Sequence, residues 1–264
     1  MRVRRLHRLR RRPRLLALIP FRDEMRFLPG FFQNVAPHVD GVVALDDQSS
    51  DESAAFAARQ PCVLELLHNP PGSQGEHEDA LLRRKLIEAA WKHGADWLLG
   101  IDADERLEDD FRQRAEEAMR RADLEGHRAY WLHLLELWEP ARYRVDGIWG
   151  TKRKACLFRS ADDHQFDSRR LHRHWASVPE PDEGWPAADL RIYHLRMIDP
   201  ADRLARVERY RRLDPDLDWQ PIGYDYLLDK EGLELRAIQP GRGYTPPWPP
   251  AATWRLPALA RPGG

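Results

Sequence analysis

The chain of 264 residues is long enough for one large α/β domain or two small ones. Its 42% hydrophobic content suits a globular core, and its net charge of −1 excludes a protein that binds polyanions over its whole surface. The two cysteines, Cys62 and Cys156, form no C-x-x-C pair, so the sequence predicts neither a disulfide framework nor a structural zinc site.

The N-terminal segment is strongly basic, because residues 1–14 hold eight arginines and no acid. Such an arm could contact nucleic acid or an anionic membrane, and a disordered tail is the interpretation we favour. No nucleic-acid partner is expected, whereas peripheral contact with an anionic membrane through residues 2–14 stays open. The apolar run of residues 15–19 is far too short to span a bilayer, and no signal peptide is recognisable. A cytoplasmic protein is therefore expected.

Short apolar runs and helical spacings alternate through the first 122 residues. The predicted strands cover residues 15–19, 41–45, 63–67 and 97–101. The predicted helices cover residues 27–35, 53–59, 82–93 and 107–122. Pro20 is expected to end the first strand. This alternation predicts a parallel sheet covered by helices.

The second part of the chain is organised differently. Strands are predicted at residues 129–138 and 191–195. A helix is predicted to begin after Asp199, which would cap it, with Pro200 in its first turn. Residues 241–264 are rich in proline and glycine and are expected to form an irregular tail.

Acidic residues follow three of the predicted strands. Asp46 and Asp47 end the second strand, Asp102 and Asp104 end the fourth, and Glu24 lies just past the first. Ligands of open α/β sheets bind beyond the carboxyl ends of the strands, so these side chains are expected on one rim. Clustered carboxylates repel one another unless a cation is present. The sequence therefore predicts a site for Mg²⁺ or Mn²⁺, which prefer oxygen ligands together with substrate phosphates.

Three segments carry a resemblance to a known family. They are PFRDE at residues 20–24, LDDQSSD at residues 45–51 and IDADE at residues 101–105. This ordered trio resembles the family 2 glycosyltransferases of GT-A fold, which typically show P-x-x-N-E, D-D-x-S-x-D and D-x-D segments at these spacings. The resemblance covers residues 15–115 well. Asp23 departs from it, because an asparagine is common there.

The resemblance implies a GT-A type α/β fold, with a mixed, mainly parallel sheet flanked by helices, in one domain of residues 15–240. Residues 15–122 would form a Rossmann-like nucleotide-sugar-binding half and residues 123–240 an acceptor half. The implied activity is metal-dependent transfer of a sugar from a nucleotide-diphosphate sugar to an acceptor hydroxyl, with inversion of the anomeric centre. The acceptor could be a glycan, a lipid or a small metabolite, and a retaining outcome stays open.

The resemblance also nominates residues that contact the donor. Asp47, with Asp46 next, matches the acid that holds the base or the ribose. The segment after the first strand wraps the base in this family, which nominates Phe21, Arg22 and Glu24.

Basic residues in two places could meet the donor's diphosphate. On the helix before the D-x-D motif, the nominated residues are Arg83, Arg84 and Lys85, although a solvated helix face is the alternative. The basic loop of residues 149–154 resembles a segment that closes over the donor, with Lys152 and Lys154 placed to neutralise phosphate. A solvated loop is the alternative there.

The resemblance implies a metal site at the D-x-D motif. Its last acid, Asp104, would contact the metal directly, with Asp102 nearer the ribose or a metal-bound water. His194 is nominated as a further metal ligand, because neutral imidazole suits Mn²⁺, and a structural histidine is the alternative. His172 and His174 could contact the acceptor or a phosphate, or could simply be polar surface residues.

An inverting enzyme of this family uses an Asp or Glu after the D-x-D motif as the general base. Asp167 is the residue that we favour, and Glu136 and Asp163 are the alternatives.

Other functions fit the sequence less well. A haloacid-dehalogenase-type phosphatase carries its D-x-D after the first strand and follows it with Thr or Val, whereas Glu105 follows here. A nucleotidyltransferase would need a glycine-rich basic loop after the first strand, and a dinucleotide-binding oxidoreductase would need G-x-G-x-x-G there. A nucleotide-sugar-binding protein without catalysis is the main alternative, followed by an enzyme of the nucleotidyltransferase or phosphatase type.

Overall fold

The computed structural model describes residues 11–70, 79–166, 174–179 and 184–246. The strands are β1 Leu15–Phe21, β2 Val42–Asp46, β3 Val63–His68, β4 Trp97–Gly100, β5 Glu105–Leu107, β6 Ala129–Glu139, β7 Arg142–Arg144, β8 Arg153–Arg159, β9 Ala187–His194 and β10 Leu235–Ala237. The helices are α1 Leu28–Val35, α2 Ser53–Ala58, α3 Asp79–Lys92, α4 Phe111–Glu125 and α5 Pro200–Leu213.

The described residues form one mixed sheet in the order β10-β7-β6-β8-β4-β1-β2-β3, with β9 pairing to β6 and β5 to β9. Strands β4, β1, β2 and β3 are mutually parallel. Helices pack against the sheet, among them α3 against β1 and β2, and α4 against β9. The predicted fold class, a mixed α/β sheet flanked by helices, is confirmed.

The first apolar run of the sequence forms the central strand β1. It pairs with β2 on one edge and with β4 on the other. Its residues from Leu15 to Ile19 are fully buried, as expected of a parallel strand that is covered on both faces. The core of the domain is therefore built around β1 and its two neighbours.

The sheet brings several strand ends to one rim. Strands β1, β2 and β4 point the same way, and β8 is antiparallel to both β4 and β6. Strand β6 therefore points the same way as β4, and β9 is parallel to β6. The rim at the carboxyl ends thus includes Asp46 on β2, the segment after β4 and His194 on β9.

Three details of the prediction were wrong. Pro20 does not end the first strand, because β1 continues to Phe21 and a proline in extended backbone loses only its own N–H donor. The helix predicted from residue 107 begins at Phe111 instead, since the residues before it form β5. The predicted basic loop of residues 149–154 is a 3₁₀ turn, Gly147–Thr151, followed by the start of β8.

The predicted start of α5 was confirmed. The Asp199 side chain accepts a hydrogen bond from the Ala201 amide at 2.9 Å, and Pro200 occupies the first turn. This cap satisfies one of the amides that a helix start leaves without a partner.

The described parts of both chain ends lie against this domain. Arg12 forms an ion pair with Glu116 on α4 at 2.6 Å. Near the other end, Asn34 donates from its side chain to the Thr245 carbonyl at 2.9 Å, and Arg242 pairs with Glu108. No helix among the described residues is both long and apolar enough to cross a membrane.

Candidate active site

The loops that follow β1 and β2 are joined by hydrogen bonds. The Asp23 carboxylate accepts from the backbone amides of Ser50 at 2.6 Å and Asp51 at 3.2 Å. In return, the Ser49 hydroxyl accepts from the Asp23 amide at 3.0 Å. Burial opposes ionisation of Asp23, but these hydrogen bonds lower its pKa overall. Asp23, the residue that departs from the family pattern, therefore braces the two loops against each other.

A second group of polar side chains lies where β2 and β3 end. Asn69, which follows β3, donates to the Asp47 carboxylate at 2.7 Å, and Lys85 on α3 donates to the Asn69 carbonyl oxygen at 2.6 Å. Asp46 accepts from the Ser49 amide at 3.1 Å and lies 3.3 Å from His68. The structure thus links Lys85, nominated for the diphosphate, through Asn69 to Asp47, nominated for the base or the ribose.

A row of charged side chains crosses β5, β9 and β6. His194 is paired in register with Glu105 on β5 and with Glu136 on β6. Its Nδ1 lies 2.5 Å from Glu136 Oε2, and its Nε2 lies 3.1 Å from Asp104 Oδ2. Burial alone would lower the pKa of His194, but Glu136 and Asp104 raise it to about 10. His194 is therefore an imidazolium that joins two buried carboxylates.

Arg196 links the first and third motif segments. Its Nε donates to Asp104, and its Nη2 donates to Glu24 at 2.5 Å. The guanidinium also lies over the Phe27 ring, 4.8 Å from its centroid. One cation thus serves two carboxylates that stand 80 positions apart in the sequence.

The two carboxylates respond differently to this shared cation. Burial opposes ionisation of Asp104, but Arg196 and His194 together hold its pKa well below the ordinary value. Burial raises the pKa of Glu24 to about 7, Arg196 opposes that rise and Asp104 adds to it. The pKa values of two neighbouring acids are expected to move apart in this way when both compete for one cation.

The other acid of the D-x-D motif is held by a lysine. Lys154 on β8 donates to Asp102 at 2.8 Å and to both oxygens of Glu105, at 2.7 and 2.6 Å. The Glu105 carboxylate also accepts from the Asp102 amide at 2.9 Å, which fixes the turn after β4. Of the two acids of the D-x-D motif, Asp102 is the one that solvent reaches, because its side chain is 48% exposed.

Lys152 is the second cation that pairs with Glu136. Its Nζ donates to Glu136 Oε1 at 2.8 Å and lies 4.0 Å from the Trp149 ring centroid. Burial opposes ionisation of Glu136, but His194 and Lys152 hold its pKa well below the ordinary value. A carboxylate held in this way is a weak proton acceptor, because a general base works best with a pKa near the working pH.

Several nominated residues lie elsewhere or outside the described residues. Phe21 is buried in the core as part of β1, and Arg22 is exposed. Arg83 donates to the His174 carbonyl at 2.8 Å, and Arg84 pairs with Glu88 on its own exposed helix face. Asp163 is an exposed partner of Arg128. Two nominated residues, Asp167 and His172, lie outside the described residues.

Three residues that sequence reasoning did not nominate are part of the site: Asn69, Glu105 and Arg196. Asn69 follows β3, so applying the strand-end rule to the third strand would have found it. Arg196 stands two residues after His194, and no local pattern reveals its distant carboxylate partners.

The predicted metal site is not preformed among the described side chains. These residues contain no group of three or more His, Cys, Asp or Glu side chains placed to hold a metal ion. The nominated ligands Asp104 and His194 form an ion pair with each other, and Lys154 forms an ion pair with Asp102. A Mg²⁺ ion usually takes only one or two carboxylates and completes its shell with substrate phosphates. The two acids of the D-x-D motif therefore fit a metal that arrives with a diphosphate, not one that the protein holds alone.

Comparisons with known proteins give distant similarities. The chain is 27% identical over 236 residues to an uncharacterized protein of Mycobacterium bovis and to one of Mycobacterium tuberculosis. Each match covers 83% of this chain and 57% of the relative, so the chain spans little more than half the length of these curated relatives. No protein-family model matches the chain.

Solved structures also show low similarity. TarS of S. aureus in complex with UDP aligns at a TM-score of 0.44 and 12% identity, over 81% of this chain and 69% of that one. Glucosyl-3-phosphoglycerate synthase of Mycobacterium tuberculosis, with Mn²⁺, UDP and glucosyl-3-phosphoglycerate, aligns at 0.33 and 16% identity, over 47% of this chain and 44% of that one. Similarities this low leave the function to be argued from the residues of the site.

Proposed function

We propose that this chain is a glycosyltransferase that moves a sugar from a nucleotide-diphosphate sugar to an acceptor hydroxyl. One observation carries the proposal: the three motif segments, which are far apart in sequence, converge on one rim. Asp23 of the first segment binds Ser50 and Asp51 of the second, and Arg196 joins Glu24 of the first to Asp104 of the third. A parallel sheet alone would bring the three strand ends to one rim, so the support comes from the bonds that join the motif residues to one another there.

The donor's base or ribose is assigned to the group at the ends of β2 and β3. Asp47 is held by Asn69, and Lys85 lies behind Asn69. A carboxylate fixed in this way accepts hydrogen bonds from a ribose or a base without first losing side-chain freedom. The nucleotide would lie across the ends of β1 and β2, which Asp23 holds together.

The leaving diphosphate is assigned to the D-x-D motif and its cations. Negative charge grows on the leaving group as the glycosidic bond breaks, and cations that are already in place stabilise it. Lys154 pairs with Asp102, and Arg196 pairs with Asp104. Each cation can release its carboxylate and bind a phosphate oxygen of the donor instead. A Mg²⁺ or Mn²⁺ ion held by Asp102, Asp104 and the diphosphate would supply further charge neutralisation.

Removal of the acceptor's proton is assigned to a carboxylate outside the row of charged side chains that crosses β5, β9 and β6. Glu136 is held by Lys152 and His194 with a depressed pKa, which suits a positioning residue. Asp167 therefore stays our prediction for the general base, with inversion as the stereochemical outcome.

The direct test replaces Asp104 by asparagine, which keeps the shape of the side chain and removes its charge. Hydrolysis of UDP- and GDP-sugars in the presence of Mn²⁺ should fall by about a hundredfold or more, as when a transition-state contact is lost. The matched control is Asp216→Asn, because Asp216 is an exposed acid outside the site, and it should keep the wild-type rate. Equal rates in both variants would refute the assignment of Asp104.

The same assay separates catalysis from binding. A wild-type chain that binds nucleotide sugars in calorimetry but never turns them over would be a nucleotide-sugar-binding protein. A chain that binds none of them would refute the proposed function altogether.

A further inference from the structure

A cluster of basic and aromatic side chains lies beside Glu136. We call it the α5 cation cluster, and its basic members are Lys152, Arg203 and Arg206. Arg203 and Arg206 stand three residues apart on α5, so they share one helix face. The aromatic members around them are Trp138, Trp149, Tyr210 and Tyr226.

Positive charge exceeds negative charge in this cluster. Lys152 and His194 both pair with Glu136, so two cations already share that carboxylate, and Arg203 and Arg206 add two more positive charges. Arg206 donates from Nε to the Tyr210 hydroxyl at 3.3 Å, and Arg203 lies over the Trp138 ring, 4.2 Å from its centroid. Neither arginine forms an ion pair within the described part of the chain, although buried cations are usually paired.

Two buried donors in the same region lack a partner. Arg206 Nη1 and Trp138 Nε1 are both inaccessible and form no hydrogen bond with any described residue. Leaving such a donor unsatisfied destabilises the folded chain, and a charged donor does so more than a neutral one. An oxyanion bound to Arg206 would satisfy the guanidinium and neutralise the excess charge at once.

The position of the cluster indicates which ligand supplies that anion. Glu136 and Trp138 lie on β6, and the order β6-β8-β4-β1-β2 separates them from Asp46 by four strand spacings. At about 4.8 Å per spacing, this is roughly 19 Å. The D-x-D segment follows β4, between these two places. His194 joins Glu136 to Asp104 of the D-x-D motif, so the cluster adjoins the diphosphate site on the side opposite the base at β2. That side of the diphosphate is the one left for the acceptor.

We propose that the α5 cation cluster binds an anionic oxyacid group, a carboxylate or a phosphate, on the acceptor. The proposal rests on the proposed function, because it divides the rim into a donor side and an acceptor side. Arg206 is the main contact, since a guanidinium binds a carboxylate or a phosphate through two parallel hydrogen bonds. Lys152 adds a point charge, and the aromatic walls exclude water from the contact.

The test titrates the full chain with glucuronate, glucose 6-phosphate and glucose, followed by NMR or calorimetry, with UDP or GDP present. Both anionic sugars, or one of them, should bind at least tenfold more tightly than glucose. Preference for one anionic sugar identifies the group as a carboxylate or a phosphate. Equal binding of all three sugars would overturn the proposal.

Variants of α5 locate the effect. Arg206→Gln should weaken binding of the preferred anionic sugar about tenfold, which is about 1.4 kcal/mol, and leave glucose unchanged. Arg206→Lys should keep part of the preference. The control is Arg211→Gln, on the same helix, whose exposed side chain pairs with Asp225, and it should bind like the wild type. The urea midpoint of Arg206→Gln should not fall, whereas a purely structural role would lower it.

Binding of the free nucleoside diphosphate separates the two proposals. If Arg206→Gln weakens UDP or GDP binding as much as it weakens anionic-sugar binding, the anion belongs to the donor and the acceptor assignment is wrong. If the wild type binds no nucleoside diphosphate at all, the proposed function fails. Titration with inorganic phosphate alone would then still decide whether the cluster is an anion site.

Discussion

Arg196 is the residue on which the candidate site depends most. It holds Asp104 and Glu24 at the same time, and the two acids differ in how much of its charge they receive. Asp104 also has His194 as a partner, so it stays ionised. Among the described residues Glu24 pairs only with Arg196, and its side chain is largely buried, so its pKa rises to about 7. Near neutral pH, Glu24 is therefore the titrating member of the group.

This imbalance predicts how stability depends on pH. The folded pKa of Glu24 lies above the ordinary value of 4.5, so the folded chain binds more protons than the unfolded chain between about pH 4.5 and 7. The contribution of Glu24 to stability is therefore largest below that window and falls as pH rises through it. In Glu24→Gln the part of this fall that Glu24 contributes should disappear, whereas the part from Glu105, whose pKa burial also raises to about 7, should remain. Urea midpoints of both proteins at pH 5, 6, 7 and 8 measure the effect, and parallel curves would contradict the assignment.

Glu136 is predicted to be a structural necessity as well as a site residue. Its side chain is 1% exposed and carries Lys152 and His194. Removing one partner from a buried ion pair typically costs about 3–5 kcal/mol, so Glu136→Gln should lower the free energy of unfolding by that order. Chemical denaturation measures the loss. Glu139→Gln is the control on the same strand, because Glu139 is half exposed, and its effect should stay within about 0.5 kcal/mol.

Among the secondary-structure elements, the strands with long apolar runs could be predicted from the sequence, and the short polar strands could not. Strands β1, β2 and β4 are marked by nearly continuous buried residues, which is the pattern of a strand covered on both faces. Strand β5 consists of Glu105, Arg106 and Leu107, and two charged residues in three give no strand signal. It forms because His194 and its neighbours on β9 pair with it across the chain. Tertiary pairing therefore decides its conformation.

The same division holds for the site. The positions of Asp47 and Asp104 followed from a local rule, since Asp47 comes directly after β2 and Asp104 lies in the short turn after β4. The role of Arg196 did not, because its partner Glu24 is 172 positions away and only the assembled sheet brings them together. The ion pair that holds Asp102 was also not predictable, since its partner Lys154 was expected in a basic loop and lies on β8 instead.

Gly100 gives a test of how β4 positions the D-x-D motif. A Cβ added there would lie 2.0 Å from the Trp175 ring, and Arg83 lies over the same ring at 5.2 Å. The ring has to move, so Gly100→Ala should cost roughly 1–3 kcal/mol, as overpacking usually does. Gly184→Ala is the control, because a Cβ there would meet nothing within 4 Å. Unfolding midpoints measure both variants, and equal midpoints would contradict the packing argument.

For the whole molecule, the rim matters because it crosses most of the sheet. The group that we propose to bind the base lies after β2 and β3, the D-x-D motif lies after β4, and His194 ends β9. A ligand that contacts all three joins elements that are far apart in the sequence. Its binding energy therefore stabilises the folded domain as a unit, because the unfolded chain has no such site.

Donor binding should consequently raise the melting temperature of the full chain, and metal should strengthen the effect. A ligand at a hundred times its dissociation constant adds about 2.7 kcal/mol, or about 5–10 °C for a domain of this size. We expect a shift of that order with UDP or GDP and Mn²⁺. EDTA should remove most of it, because Asp102 and Asp104 then face the diphosphate without a bridging cation. Asp104→Asn should lose the Mn²⁺-dependent part, whereas Asp216→Asn should keep it. A full shift that persists in EDTA would mean that Lys154 and Arg196 hold the diphosphate by themselves, and the predicted metal dependence would be wrong.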